Sequence, residues 1–132
     1  MTVKEQAVLN HANGCNCCQS VLCALGGYTG LDNTTAVSLG YGFAGGMLCG
    51  SVCGAVTGGL MALGCACTEG KSPAAEKPQL VRLARSLEDA FSSELGSLLC
   101  REITAAHGGA ICDKCIAFAA ETAEKLISEQ KK

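Results

Sequence analysis

The sequence has no tryptophan, two tyrosines, three phenylalanines and only two prolines in 132 residues. Large packing side chains are scarce, so any core must be assembled from Leu, Ile, Val, Ala and sulfur. Positive charge is not in excess either: ten Lys and Arg stand against twelve Asp and Glu, a formal net charge of −2. That leaves no basic field for gripping phosphates and argues against nucleic acid as a partner. There is no Walker-type phosphate loop, no Gly-x-Ser-x-Gly elbow and no pair of carboxylates in the uncharged half, so ordinary hydrolases have no footing. The opening Met1-Thr2-Val3-Lys4-Glu5-Gln6 lacks the apolar core of a signal peptide, and the cytoplasm is the expected compartment. From Asn33 to Thr68 formal charge is absent altogether.

What the chain has in abundance is sulfur and glycine: eleven cysteines and 17 glycines. In a reducing compartment, clustered cysteines read as metal ligands or redox groups before disulfides, and an odd total fits complete pairing poorly. They fall into four groups: Cys15, Cys17, Cys18 and Cys23; Cys49, Cys53, Cys65 and Cys67; Cys100; and Cys112 with Cys115. Cys49 and Cys53, four apart, are expected on one helix face, and Cys112-x-x-Cys115 lets two sulfurs reach one metal at a helix start. Cys15-x-Cys17-Cys18 cannot aim all its sulfurs one way from a regular helix, which puts part of it on the loop after Gly14.

Thiolates from separate helices suit iron in iron–sulfur clusters, zinc or Cu(I). Within the first 68 residues only Lys4 and His11 have side chains able to carry positive charge. A bound metal would supply the missing charge and deprotonate the sulfurs there. Two other readings stay open: sequestration of Cu(I) or zinc, and a thiol–disulfide oxidoreductase built on Cys112-Asp-Lys-Cys115. His11 and His107 stand at no zinc-finger spacing from two cysteines, and neither is taken as a ligand.

The expected fold is all-α: one domain over residues 1–132, a compact bundle of about five to six helices around a buried Gly/Cys-rich central helix. Thr2-x-x-Glu5 is a capping-box pattern for the first helix. Val21, Leu22 and Leu25 mark a second that carries Cys18 on its inward stripe, and Asp32-Asn33 caps a third reaching about Tyr41. Met47 to Cys67 reads as the buried helix, with Gly46, Gly50, Gly54 and Gly58 forming a groove for the close approach of another backbone or an inorganic group. It is long enough to span a bilayer, yet built of Gly, Ala, Cys and Thr without an aromatic belt, so no membrane span is expected. Residues 69–78 read as a proline-marked loop. Leu80, Leu83, Ala84, Leu87, Phe91 and Leu95 line a helix that Gly96 stops. Asp113 is expected to cap the last helix, whose stripe is Ile116, Ala119, Ala120, Ala123, Leu126 and Ile127 and whose closing lysines suit its dipole. The long uncharged segment and thin aromatic content lead us to expect a homodimer.

Taken in order, Cys18-Gln-Ser-Val, Gly45-Gly46-Met47, Cys53-Gly-Ala-Val-Thr-Gly58, Leu98-Leu-Cys-Arg-Glu102 and Cys115 resemble the C_GCAxxG_C_C family of redox-active proteins. The resemblance implies a small helical domain with a redox role and four family cysteines, here Cys18, Cys53, Cys100 and either Cys115 or Cys112. A similar module in split-Soret cytochromes is associated with an iron–sulfur cluster, which puts that cofactor ahead of zinc. On this reading Cys18, Cys53, Cys100 and Cys115 are the core ligands, Cys49 and Cys112 come next, and Cys17 and Cys15 complete the candidate set. The redox partner protein is not identified by the resemblance, and seven further cysteines depart from the family pattern.

Overall fold

The computed structural model describes residues 1–130. Among them the chain forms eight α-helices: α1 (Val3–Ala12), α2 (Cys17–Ala24), α3 (Gly26–Thr29), α4 (Asn33–Gly40), α5 (Gly54–Cys67), α6 (Pro73–Leu95), α7 (Cys100–His107) and α8 (Cys112–Gln130). No strand occurs among these residues beyond a single antiparallel bridge between Val52 and Leu99. The all-α expectation holds, but the helix count exceeds five to six. Of the unforeseen elements, α3 has four residues and α7 eight, too short for a convincing apolar period.

Local signals start the helices where side chains can satisfy the orphan amides. Thr2 and Glu5 form a reciprocal capping box, with Thr2 N–H donating to Glu5 at 2.8 Å and Glu5 N–H to Thr2 Oγ1 at 3.2 Å. A second box opens α2: Gln19 N–H donates to Asn16 Oδ1 and Asn16 N–H to Gln19 Oε1, both at 2.9 Å. Asp32 caps α4 through Thr35 N–H at 2.7 Å. Gly96, with a left-handed φ of 89°, ends α6.

The core is packed by Leu22 and Leu25 from α2, Leu63 from α5, Leu87 and Phe91 from α6, and Ile116 and Ile127 from α8, all fully buried. Phe91 meets the ring of Phe118 edge-on at 6.2 Å, the favoured aromatic geometry. Helix α5 packs against α2, α3, α6 and α8. Its glycines explain the closeness to α2. A Cβ on Gly54 would meet the Cys18 amide nitrogen at 3.0 Å, and one on Gly58 the Cys18 carbonyl oxygen at 2.7 Å.

Three boundaries differ from the sequence reading. The Met47–Cys67 segment is not one helix: residues 46–50 leave right-handed helical space and α5 begins only at Gly54, so Cys49 and Cys53 share no helix face. Glycines at 45, 46 and 50 have positive φ, and this freedom ends the periodic register. Helix α6 begins at Pro73 rather than after Pro78, because proline fits the first helical position and Ala74–Lys77 are good helix formers. Glu76 tethers this start, accepting Glu69 N–H at 2.7 Å and Ser72 N–H at 3.1 Å. Asp113 lies inside the first turn of α8 rather than capping it, and is held by His11 Nδ1 at 2.8 Å. Of the closing lysines, Lys131 and Lys132 lie outside the described residues. No described helix is long and apolar enough to cross a membrane.

Asn16 ties this scaffold together. Besides capping α2, its side-chain amide donates to the Gly40 carbonyl at 3.0 Å, joining α2 to the end of α4. Asn16→Ala is expected to cost about 2 kcal/mol, roughly a cap plus one tertiary hydrogen bond, read as a lower denaturation midpoint of the metal-free protein at unchanged m-value.

Candidate functional site

Five cysteines, Cys17, Cys53, Cys100, Cys112 and Cys115, line one small cavity together with Gly45, Gly46, Gly54, Ile103, Thr104 and Ile111. Each sulfur stands at or within the first turn of a helix. Cys17 is the first residue of α2, Cys53 the N-cap of α5, Cys100 the first residue of α7, and Cys112 and Cys115 lie in the first turn of α8. Four helix N-termini therefore converge, and their unpaired N–H groups favour negative charge on sulfur.

The bridge between Val52 and Leu99 sets one side of the cavity. Cys53 N–H donates to the Leu98 carbonyl at 2.8 Å, and Cys100 N–H to the Ser51 carbonyl at 2.7 Å. Side chains alternate across such a pairing, so Cys53 and Cys100 share the face opposite Val52 and Leu99. The other side is set by α8, where Cys112 and Cys115 are three apart and neighbours on one face. Cys17 closes the ring from α2. A Cβ on Gly54 would meet the Cys17 Cβ at 3.2 Å, so the glycine is what lets α2 begin this close to α5.

Within the cavity the sulfurs interact with one another. The Cys53 thiol is pulled well below the ordinary thiol range because it accepts hydrogen bonds from Cys115 and Cys17, against the cost of burial, and faces the N–H groups of Ala55 and Val56. Cys17 and Cys115 are pushed up, first because they donate to Cys53 and next because they are buried. Burial raises Cys100 as well, with the charge of Cys53 adding to it. These hydrogen bonds favour the thiolate at Cys53 and the thiol at Cys17 and Cys115. No carboxylate or imidazole lines the cavity, and the Thr104 hydroxyl donates to the Cys100 carbonyl at 2.8 Å, so the ionisable donors are all soft thiols. Among the described residues no three Cys, His, Asp or Glu side chains are already arranged to hold one metal ion. Metal binding therefore requires the sulfurs to exchange their mutual hydrogen bonds for the ion.

The charge state is testable by thiolate ultraviolet absorbance. In metal-free protein one thiolate should persist as pH falls well below the ordinary thiol value of about 8.5, because the Cys53 value is depressed. Cys17 and Cys115, with raised values, should stay protonated as pH rises above it. Cys53→Ser should remove the low-pH thiolate signal.

The remaining candidates lie elsewhere. Cys18 is fully buried, beside Thr57 and against Gly58, and burial raises its thiol. Cys49 is exposed and donates weakly to the Gly46 carbonyl at 3.6 Å. Cys15 is half-buried near Cys23, whose thiol burial and the neighbouring sulfurs push up to about 11. Cys17, from the outer part of the candidate set, gathers with the others, whereas Cys18, which the resemblance put among the core ligands, does not line the cavity. The missed signal was Asn16-x-x-Gln19, a capping box that fixes which cysteine opens α2. A larger open groove of about 650 Å³ runs past Leu31, Leu39, Met61 and Cys65, but it carries one cysteine and no cluster of reactive groups.

No curated protein and no solved structure matches the chain. Residues 15–126, which contain all five cavity cysteines, match the family described as "Putative redox-active protein (C_GCAxxG_C_C)". Matched over most of its length, the chain belongs to the C_GCAxxG_C_C family, whose description supports a redox role.

Proposed function

We propose that the protein is an electron-transfer protein whose cavity thiolates hold an iron–sulfur cluster. The observation that carries this reading is the convergence of five thiols, from four separate helix N-termini, on a single cavity lined by no carboxylate or imidazole. Soft donors of this kind select iron–sulfur centres, zinc or Cu(I), and of these only the iron centre and copper change oxidation state. A redox family membership favours the iron centre over zinc.

Cys53, Cys100, Cys112 and Cys115 are the proposed ligands, with Cys17 as an additional or alternative donor. When bound, the cluster supplies one-electron chemistry. The protein's own groups have separate tasks. Cys53 enters as a thiolate because the α5 N-terminus and two thiol donors stabilise its charge. The N-termini of α2, α7 and α8 offset the charge that further thiolates bring. Ile103 and Ile111 shield the sulfurs from water, which lowers the local dielectric and raises the weight of those dipoles.

Anaerobic reconstitution with iron and sulfide tests the proposal. Expected are a brown protein with broad charge-transfer absorption, and iron and sulfide bound in stoichiometric amounts. A colourless protein that takes up no iron under these conditions overturns it. Stoichiometric Cu(I) or zinc uptake without iron would move the function to soft-metal binding.

A further inference from the structure

Between α4 and α5 the chain makes a turn that L-residues avoid. Gly45, Gly46, Met47 and Leu48 have successive φ values of 55°, 66°, 60° and 62°, with ψ of 39°, 35° and 12° at Gly45, Met47 and Leu48. This is one turn of left-handed helix. Glycine adopts it freely, whereas in Met and Leu the Cβ crowds the following carbonyl. Burial of the two side chains does not offset that crowding, since Leu48 is 73% exposed and Met47 42%. The segment is tied to its surroundings by Ser51 N–H to the Gly46 carbonyl at 2.8 Å and by Arg101 Nη1 to the Gly50 carbonyl at 3.3 Å, and Cys49 Sγ donates weakly to the same Gly46 carbonyl.

The inner side of this strained turn is a wall of the sulfur cavity. Gly45 and Gly46 line it, and Gly46 lies so close to Cys100 that an added Cβ would meet the Cys100 Cβ at 2.8 Å. The cavity has a volume of about 20 Å³, room for about one water-sized guest. Cys53 and Cys115 are the buried members of the set, and anything larger that reaches them needs a wall to move. Apart from Ile111, in the short turn before α8, the other walls belong to paired backbone or to helices packed into the core, while this one is held under steric strain at residues that bury little. Strain retained in such a place is the mark of a segment with a second conformation.

We propose that residues 45–50 are a gate over the sulfur cavity, closed in the left-handed turn and opened when Met47 and Leu48 relax to right-handed backbone, admitting soft-metal ions and small thiol-reactive molecules. What passes through the gate rests on the metal-binding reading; the motion itself does not, and its test uses metal-free protein.

The test is the rate at which N-ethylmaleimide modifies Cys53 and Cys115, the two buried cavity sulfurs, in reduced, metal-free protein, followed by peptide mass spectrometry. Exposed Cys65 serves as the internal reference. Leu48→Gly removes the crowding that favours opening, and should slow modification of both cavity cysteines about fivefold to tenfold. Leu48→Val, β-branched and more crowded in the left-handed region, should speed it several-fold. Hydrogen exchange at the Ser51 amide, bonded to Gly46, should follow the same order. Equal rates in all three proteins, or faster modification in Leu48→Gly, overturn the gate. Failure of iron uptake alone would remove the proposed cofactor and leave this ranking intact.

Discussion

Cys53→Ser is expected to fold and yet to retain less than about a tenth of the wild-type iron after anaerobic reconstitution. Losing even an outer-shell partner of a metal costs roughly 10–100-fold in affinity, and Cys53 is proposed as a direct ligand. Its thiolate is also favoured by hydrogen bonds from Cys115 and Cys17 and by the start of α5, so it is the natural first point of attachment. Its backbone role survives the substitution, because Cys53 N–H still donates to the Leu98 carbonyl. Cys18→Ser provides the contrast. That side chain is fully buried and lies outside the cavity lining. The variant should therefore bind iron like the wild type while losing about 1–3 kcal/mol of stability for a hydroxyl buried in place of a thiol. Elemental analysis with chemical denaturation measures both. Loss of iron in Cys18→Ser to the level of Cys53→Ser would assign the ligand role to Cys18 and remove it from Cys17.

Gly58→Ala is expected to lower stability by about 3 kcal/mol, a fall of roughly 10 °C in Tm by calorimetry. The added methyl would sit 2.7 Å from the Cys18 carbonyl oxygen and 3.3 Å from the Cys18 Cα. Both are backbone atoms inside α2, which cannot turn aside as a side chain can. Relief requires the whole of α2 to move away from α5, and Cys17 moves with it, so iron retention should fall as well. Gly64→Ala, in the same helix with nothing within 4 Å, should be neutral or stabilise by up to about 1 kcal/mol, the usual gain when an unconstrained helical glycine is replaced. A loss at Gly64 equal to that at Gly58 would mean that helix propensity, not the approach of α2, governs both.

The glycines at 46, 50, 54 and 58 show where sequence reading succeeds and where it stops. Their fourfold spacing correctly signals a close backbone approach at Gly54 and Gly58. The same spacing suggests a continuous helix through Gly46 and Gly50, which the left-handed turn contradicts. Periodicity reports what a helix would do if it formed; it does not report that a bridge between Val52 and Leu99 will pull residues 51–53 out of it. That bridge joins positions far apart in the chain, and no local window contains both partners. The short α7 escapes notice for a related reason, since it is fixed by its contacts with the gate segment and the turn before α8.

Composition and spacing alone determined the all-α class, the amphipathic faces of α6 and α8 and the first capping box, because each depends on residues within one or two helical turns of each other, and the cysteine enrichment alone motivated the proposal of sulfur chemistry. Which sulfurs meet was decided only by tertiary structure. Cys17 and Cys18 are adjacent in sequence but about 100° apart around a helix, and the packing of α2 on Gly54 and Gly58 determines which of them faces the cavity. Cys53 and Cys100 likewise meet through one antiparallel bridge, which joins positions too far apart in the chain for any local pattern to reveal.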